Sequence, residues 1–144
     1  MFIGMFFAFT DLARFAPAWR GPALWTGLAL MAAGLGLRWW AVRVLAQQFT
    51  VNVAIRDGHR LVREGPYARV RHPSYTGALM TFLGCGLACG NWISLTVLTL
   101  PVALAFMRRI RVEEAVLAQA FPHDYPDYAR STGRLIPRRR TYPR

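Results

Sequence analysis

Two tyrosines, two arginines and a histidine crowd the run Gly65-Pro66-Tyr67-Ala68-Arg69-Val70-Arg71-His72-Pro73-Ser74-Tyr75, directly ahead of a long apolar stretch. Guanidinium, imidazole and phenol groups at the edge of an apolar segment are costly unless they bind something polar there. Gly65-Pro66 marks a turn whose glycine permits close approach of backbone to a ligand. His72-Pro73 fits a helix start, since proline is tolerated at the first helical position and the free N–H groups there favour an anion. An anionic group of a cofactor would dock at that point. A second polar run, Arg109-Ile110-Arg111-Val112-Glu113-Glu114, closes the same apolar stretch. On a helix Arg109 and Glu113 are four apart and able to pair, while Glu114 faces about 100° away. Spacing alone also allows plainer readings: a solvated helix face for Glu113 and Glu114, a satisfied interfacial histidine for His72, and headgroup anchors for the arginines. By the same measure Tyr125 and Tyr128 are interfacial aromatics, and Arg134-Leu135-Ile136-Pro137 is a helix stop.

The elements that must position these groups follow from the apolar pattern. Residues 1–20 read as an interfacial helix or a partial span, because an apolar run of about ten residues closed by Asp11 and Arg14 is too short to cross a core of about 30 Å. No basic region precedes it and no small-residue cleavage site follows, so a cleaved signal peptide is not expected. The first full span is expected over 22–42, with Pro22 near the helix start, Gly27, Gly34 and Gly36 available for close helix packing, and Arg38, Trp39, Trp40 and Arg43 marking an interface at its far end. Residues 45–72 form a polar connector carrying the first motif. The apolar stretch from Pro73 to Met107 would be about 50 Å long as one helix and must fold back. Gly84, Gly86, Gly90 and Asn91 supply the break, giving a hairpin of helices over 73–90 and 92–108, with Pro101 kinking the second. Residues 109–137 carry the second motif and 138–144 a basic tail. The expected fold is therefore an all-α integral membrane protein of about three transmembrane helices, in which a cytoplasmic connector and a C-terminal helix close a cofactor site.

This hairpin returns the second motif to the side of the first. All but Arg14 and Arg20 of the 18 basic residues, every one an arginine, then lie on one face, which the positive-inside rule assigns to the cytoplasm. A net charge of +11 over 144 residues would also suit nucleic acid, but 54% hydrophobic content and arginines that flank apolar segments decide for a membrane. Cys85 and Cys89 share a helix face and cannot bridge each other within an intact helix. His59, His72 and His123 have no second ligand at zinc spacing, so no metal is expected.

The ordered residues Leu61-Val62, Gly65-Pro66-Tyr67, Arg71-His72-Pro73 and Tyr75-Thr76-Gly77 resemble the first motif of the isoprenylcysteine carboxyl methyltransferases, their bacterial relatives and the phospholipid methyltransferases. Arg109-Ile110, Glu113-Glu114, Leu117, Tyr125, Tyr128 and Arg134 to Pro137 are similar to the second, and the resemblance covers about residues 24–137. It implies an enzyme that binds S-adenosyl-L-methionine at the cytoplasmic membrane face, between the two motifs. Gly65, Pro66, Tyr67, Arg71, His72, Pro73 and Tyr75 would contact the methionine portion or line the pocket together with Tyr125 and Tyr128, and Glu113 and Glu114 would bind ribose or amino groups. Arg109, Arg111 and Arg134 would position the acceptor, a membrane lipid or hydrophobic small molecule whose reacting group is a carboxylate, a thiol or an amine. The absence of lysine points to a GC-rich bacterial source and hence an inner-membrane location. Two rival readings remain. One is an NADPH-dependent sterol or steroid reductase-like enzyme, which has a similar Arg-His-Pro and tyrosine arrangement but usually Asp-Glu followed by cysteine where this chain has Glu113-Glu114 and then Val116-Leu117. The other is a non-enzymatic membrane scaffold, which leaves both polar clusters unexplained.

Overall fold

The computed structural model describes residues 12–46 and 61–138. Over these residues the chain is all-helical, with α1 at Pro17–Leu45, a 3-10 turn at Gly65–Ala68, α2 at Pro73–Ala88, α3 at Trp92–Ala120 and α4 at Asp124–Ser131. Most of the 1–20 segment, the polar middle of the connector and the end of the tail lie outside the described residues. Packing divides the chain into two units, Met1–Gly36 with Gly77–Arg108, and Leu37–Thr76 with Arg109–Arg144.

In the first unit, glycine sets the helix packing. A Cβ on Gly27 would sit 2.5 Å from the Gly84 carbonyl oxygen, one on Gly84 would sit 2.5 Å from the Gly27 carbonyl oxygen, and one on Gly34 would meet the Gly77 carbonyl oxygen at 2.5 Å. The backbones of α1 and α2 therefore touch at positions that admit no side chain, the small-residue mode of packing common where helices associate within lipid. Gly36 and Gly21 have nothing within 4 Å and play no such part. The break between α2 and α3 is short. Gly90 takes φ +63, and the buried Asn91 caps α3 by accepting from the backbone N–H groups of Ile93 at 2.9 Å and Ser94 at 3.2 Å. Asn91 also donates to the Leu12 carbonyl at 2.6 Å. The N–H groups of Phe15 and Trp92 complete this corner by bonding the carbonyls of Gly90 and Ala13 at 2.8 and 3.0 Å.

Among the described residues two helices, α1 and α3, are long and apolar enough to cross a membrane, and only 11% and 17% of their most apolar windows are buried inside the protein. Their exposed surface carries Trp25, Leu28, Leu35, Leu100 and Leu104, an apolar face that suits lipid and not water. At 16 residues α2 is about 24 Å long, shorter than a full span of about 20 residues. The first span also runs on to Leu45 and α2 ends at Ala88, small shifts from the expected 42 and 90; two boundaries move further. Helix α1 begins at Pro17, five residues before the expected start, so Pro22 lies inside the helix; Pro17 already occupies the first turn, where a missing N–H costs nothing. Helix α3 continues past Arg108 to Ala120, through Pro101, because residues 109–120 hold no glycine or proline to stop it.

The second unit supplies the polar cluster. Its apolar centre is Tyr67, Val70, Ile110, Tyr125 and Tyr128, of which Ile110 is wholly buried. A short parallel pairing joins Val70 to Gly133, so the end of the connector and the segment after α4 run side by side.

Candidate functional site

The first motif is folded by its own backbone. Gly65 opens the 3-10 turn at φ +55, with Trp40 and Val44 packed against the place a Cβ would occupy. Pro66 and Tyr67 are buried in this turn. The Tyr67 hydroxyl donates to the Ala41 carbonyl at 3.4 Å, and the Tyr67 carbonyl accepts from the Tyr128 hydroxyl at 2.8 Å. At the start of α2 the His72 carbonyl accepts from the N–H groups of Tyr75 and Thr76 at 3.1 and 3.0 Å, with Pro73 fully buried in the first helical position.

The segment after α4 is a strap laid along this motif. The N–H groups of Arg71 and His72 donate to the carbonyls of Gly133 and Arg134 at 2.8 and 3.1 Å, and the Gly133 N–H returns to the Arg69 carbonyl at 3.2 Å. The Thr76 hydroxyl donates to the Leu135 carbonyl at 2.7 Å. All but the Thr76 contact are main-chain to main-chain, so no side chain signals them except Gly133, where a Cβ would run into the main chain of Ile136.

Arg71 ties three elements together. Its Nε donates to Glu114 Oε1 at 3.0 Å, and its Nη1 donates to the carbonyls of Ala129 at 2.7 Å and Thr132 at 2.6 Å. Glu114 also receives Arg134, whose Nη2 lies 2.5 Å from Oε2 and whose Nε lies 3.2 Å from Oε1. One residue earlier on α3, Glu113 Oε1 accepts from the Tyr75 hydroxyl at 2.5 Å and from Arg109 Nε at 3.0 Å. The His72 ring lies between the two carboxylates, its Nδ1 3.7 Å from Glu113 Oε2 and its Nε2 3.4 Å from Glu114 Oε1. Tyr75 stacks on His72 with ring centroids 5.8 Å apart.

Electrostatics follow from this enclosure. Burial pulls His72 below the ordinary histidine range, more strongly than Glu114 and Glu113 push it up. The ring is therefore neutral near pH 7 and presents one donor and one acceptor nitrogen. Tyr67, Tyr125 and Tyr128 are each pushed up to about 12, first of all by burial, and stay protonated.

Arg71, His72, Tyr75, Arg109, Glu113, Glu114 and Arg134 thus form one connected polar cluster. Gly65, Pro66 and Tyr67 form the turn ahead of it, Pro73 opens α2, and Tyr128 holds the Tyr67 carbonyl. Tyr125 and Tyr128 are 6% and 5% exposed, and so are core residues of this unit where spacing alone suggested interfacial aromatics; their ring centroids lie 6.3 Å apart, with Tyr128 turned to the Tyr67 carbonyl and Tyr125 toward Glu114. Arg111 is exposed and makes no ion pair among the described residues. Arg63, not singled out from sequence, donates to the Asp124 carboxylate at 2.8 Å and to its carbonyl at 2.9 Å, pinning the connector to the start of α4.

Comparison with known proteins gives this cluster a family. Residues 22–124 match the family described as phospholipid methyltransferase. The chain is 35% identical over 114 residues to the protein-S-isoprenylcysteine O-methyltransferase of Schizosaccharomyces pombe, covering 78% of this chain and 48% of that protein. It is 33% identical over 132 residues to the cobalt-zinc-cadmium resistance protein CzcN of Cupriavidus metallidurans, covering 90% and 56%. The solved structure of the eukaryotic intramembrane Ras methyltransferase ICMT superposes with a TM-score of 0.73 at 32% identity, covering 79% of this chain and 43% of that one. The chain thus spans about half the length of these relatives. With a matched segment that takes in most of α1, all of α2 and α3, the first polar motif and the second as far as residue 124, the chain is an integral membrane protein that belongs to the phospholipid methyltransferase family.

Proposed function

We propose that this protein is an S-adenosyl-L-methionine-dependent methyltransferase that works within the membrane, of the isoprenylcysteine carboxyl O-methyltransferase type, on a hydrophobic acceptor. The observation that carries the reading is the meeting of the two motifs around His72, with Glu113 and Glu114 on one side and the first turn of α2 on the other. Two buried polar atoms there, His72 Nε2 and the Tyr125 hydroxyl, make no hydrogen bond among the described residues, and an orphaned buried polar group asks for a partner. A ligand bearing an ammonium, a carboxylate and ribose hydroxyls suits a corner that offers carboxylate, imidazole and phenol groups together.

The donor, when bound, supplies an electrophilic methyl group on a sulfonium. The protein's residues then have to orient the two reactants in line and keep water away, which needs no covalent intermediate. Arg71 and the strap hold the first motif rigidly against α3. Arg109, Arg111 and Arg134 are the cations available to an acidic acceptor head; Arg134 shares its charge with Glu114, while Arg109 is exposed beyond its bond to Glu113. The arginine distribution supports a site on the cytoplasmic side of a bacterial inner membrane. The relatives' printed names support an S-isoprenylcysteine or similar lipophilic acid as acceptor.

The test is titration calorimetry of the detergent-purified protein with S-adenosylmethionine, S-adenosylhomocysteine and NADPH in parallel. Saturable binding of the first two alone is expected. Binding of NADPH alone would transfer the chain to a reductase chemistry, and binding of none would leave the cluster a structural one.

A further inference from the structure

The strap that follows α4 ends in an apolar tip. Its Leu135 carbonyl accepts from the Thr76 hydroxyl at 2.7 Å, in the first turn of α2, where the sequence passes from Arg71-His72 to the apolar run Gly77-Ala78-Leu79-Met80. That bond fixes the tip at the polar–apolar boundary of the chain. The next residue, Ile136, is 78% exposed, the most exposed large apolar side chain among the described residues. A single exposed isoleucine needs no explanation on a water-facing surface, but this one lies where α2 turns apolar and beside a group of cations. Those cations converge on Gly133. The Arg69 carbonyl accepts from the Gly133 N–H at 3.2 Å, the Arg138 nitrogen lies 3.0 Å from the place of a Gly133 Cβ, and Arg138 Nη1 donates to the Arg130 carbonyl at 3.2 Å. All three arginines are exposed. Arg130 pairs with Asp127, whereas Arg69 and Arg138 meet no carboxylate among the described residues, and the sequence continues with Arg139, Arg140 and Arg144. An acidic protein or a nucleic acid would match these charges and leave Ile136 without an apolar partner. An anionic bilayer satisfies both.

We infer that the strap tip is a lipid-docking surface: Ile136 enters the headgroup–acyl boundary of the adjoining leaflet, and Arg69, Arg130 and Arg138 hold the phosphates of anionic phospholipids around it. Guanidinium groups take phosphate oxygens in pairs, and an interfacial element is held by apolar burial and by attraction to anionic lipid together. The same strap accepts the N–H groups of Arg71 and His72 on its carbonyls, so lipid at the tip steadies the first motif from outside. The docking surface is independent of the methyl-transfer reading, since its residues would meet the bilayer in the same way whatever the reaction.

The experiment places a nitroxide at Ile136→Cys or, for comparison, at Gln119→Cys on the exposed side of α3, in the full chain with Cys85→Ala and Cys89→Ala, reconstituted in nanodiscs of phosphatidylcholine alone or mixed with phosphatidylglycerol. Relaxation by oxygen, which concentrates in lipid, is compared with relaxation by a nickel chelate, which stays in water. In the mixed discs the oxygen-to-nickel ratio is expected to be several-fold higher at 136 than at 119, and to fall at 136 in phosphatidylcholine alone. Arg69→Gln with Arg138→Gln should bring the mixed-disc ratio down to the phosphatidylcholine value. Arg69→Gln by itself, which breaks no ion pair among the described residues, should lower it part of the way should the double variant fold poorly. Equal ratios at 136 and 119 in the mixed discs overturn the insertion, and a ratio at 136 indifferent to phosphatidylglycerol or to the arginine substitutions overturns the anionic-lipid contact. The unlabelled protein with its native cysteines gives a second reading. On detergent extraction the wild type should favour phosphatidylglycerol over phosphatidylcholine about fivefold more than Arg69→Gln does, the factor that one cation near an anionic surface supplies, and equal retention by the two would also overturn the proposal.

Discussion

Replacing Arg71 by methionine keeps the length of the side chain and removes the junction of the second unit. The guanidinium makes a charged bond to Glu114 at 3.0 Å and two to main-chain carbonyls at 2.7 and 2.6 Å, and the ion pair is 11% and 13% exposed on its two sides. Removing one partner of a buried pair costs about 3–5 kcal/mol, since the remaining charge stays buried. Arg134 still neutralises Glu114 in part, which places the cost nearer the lower figure, but the carbonyls of Ala129 and Thr132 lose their donor as well. For a chain of this length about 3 kcal/mol corresponds to a melting temperature lower by roughly 6–12 °C. Arg130→Met is the control: its pair with Asp127 is 77% and 74% exposed, and such pairs contribute less than about 1 kcal/mol. Both variants and the wild type would be melted in the same detergent without ligand and followed by tryptophan fluorescence. An Arg71→Met curve that overlays Arg130→Met would refute the reasoning, because a side chain whose only task is to hold a ligand leaves the unliganded protein as stable as before.

Two further outcomes follow from the packing and the electrostatics. Gly27→Ala forces a Cβ to within 2.5 Å of the Gly84 carbonyl oxygen and 2.7 Å of the Ala88 nitrogen, both backbone atoms, and should destabilise by about 1–3 kcal/mol, whereas Gly21→Ala has open space and should be neutral or slightly stabilising; equal melting temperatures for the two would count against close α1–α2 packing. His72 is held below its ordinary value of 6.5 by burial. As pH falls through 6.5 the unfolded chain takes up a proton that the folded chain refuses, so stability drops toward acid with a slope of at most about 1.4 kcal/mol per pH unit. The drop between pH 7.5 and 5 should be smaller in His72→Gln, and an unchanged slope there would show that His72 is not the group responsible.

Much of the architecture is written in local pattern. Glycine and asparagine at 90 and 91 break an apolar run too long for one span, and the break is found there with Asn91 as the cap. The i to i+4 spacing of Arg109 and Glu113 is enough to predict their pairing, observed at 3.0 Å. Helix ends were less legible. Nothing local ends the helix where α3 passes from apolar to polar, since a helix is set by backbone propensity and 109–120 has no breaker. The burial of Tyr125 and Tyr128 was illegible for a related reason, because an eight-residue helix has a face only once something packs on it.

By itself the sequence determined that the chain is helical, that α1 and α3 suit a membrane, and that two polar motifs bracket the hairpin, because hydropathy, glycine placement and residue spacing act over a turn or two of chain. Tertiary structure alone decided which carboxylate is saturated and which keeps an oxygen to spare. Glu113 and Glu114 are neighbours of identical chemistry, and what separates them is the approach of Arg71, Arg134 and Tyr75 from segments 20 to 43 residues away, together with a strap whose hydrogen bonds come from main-chain groups that every residue possesses.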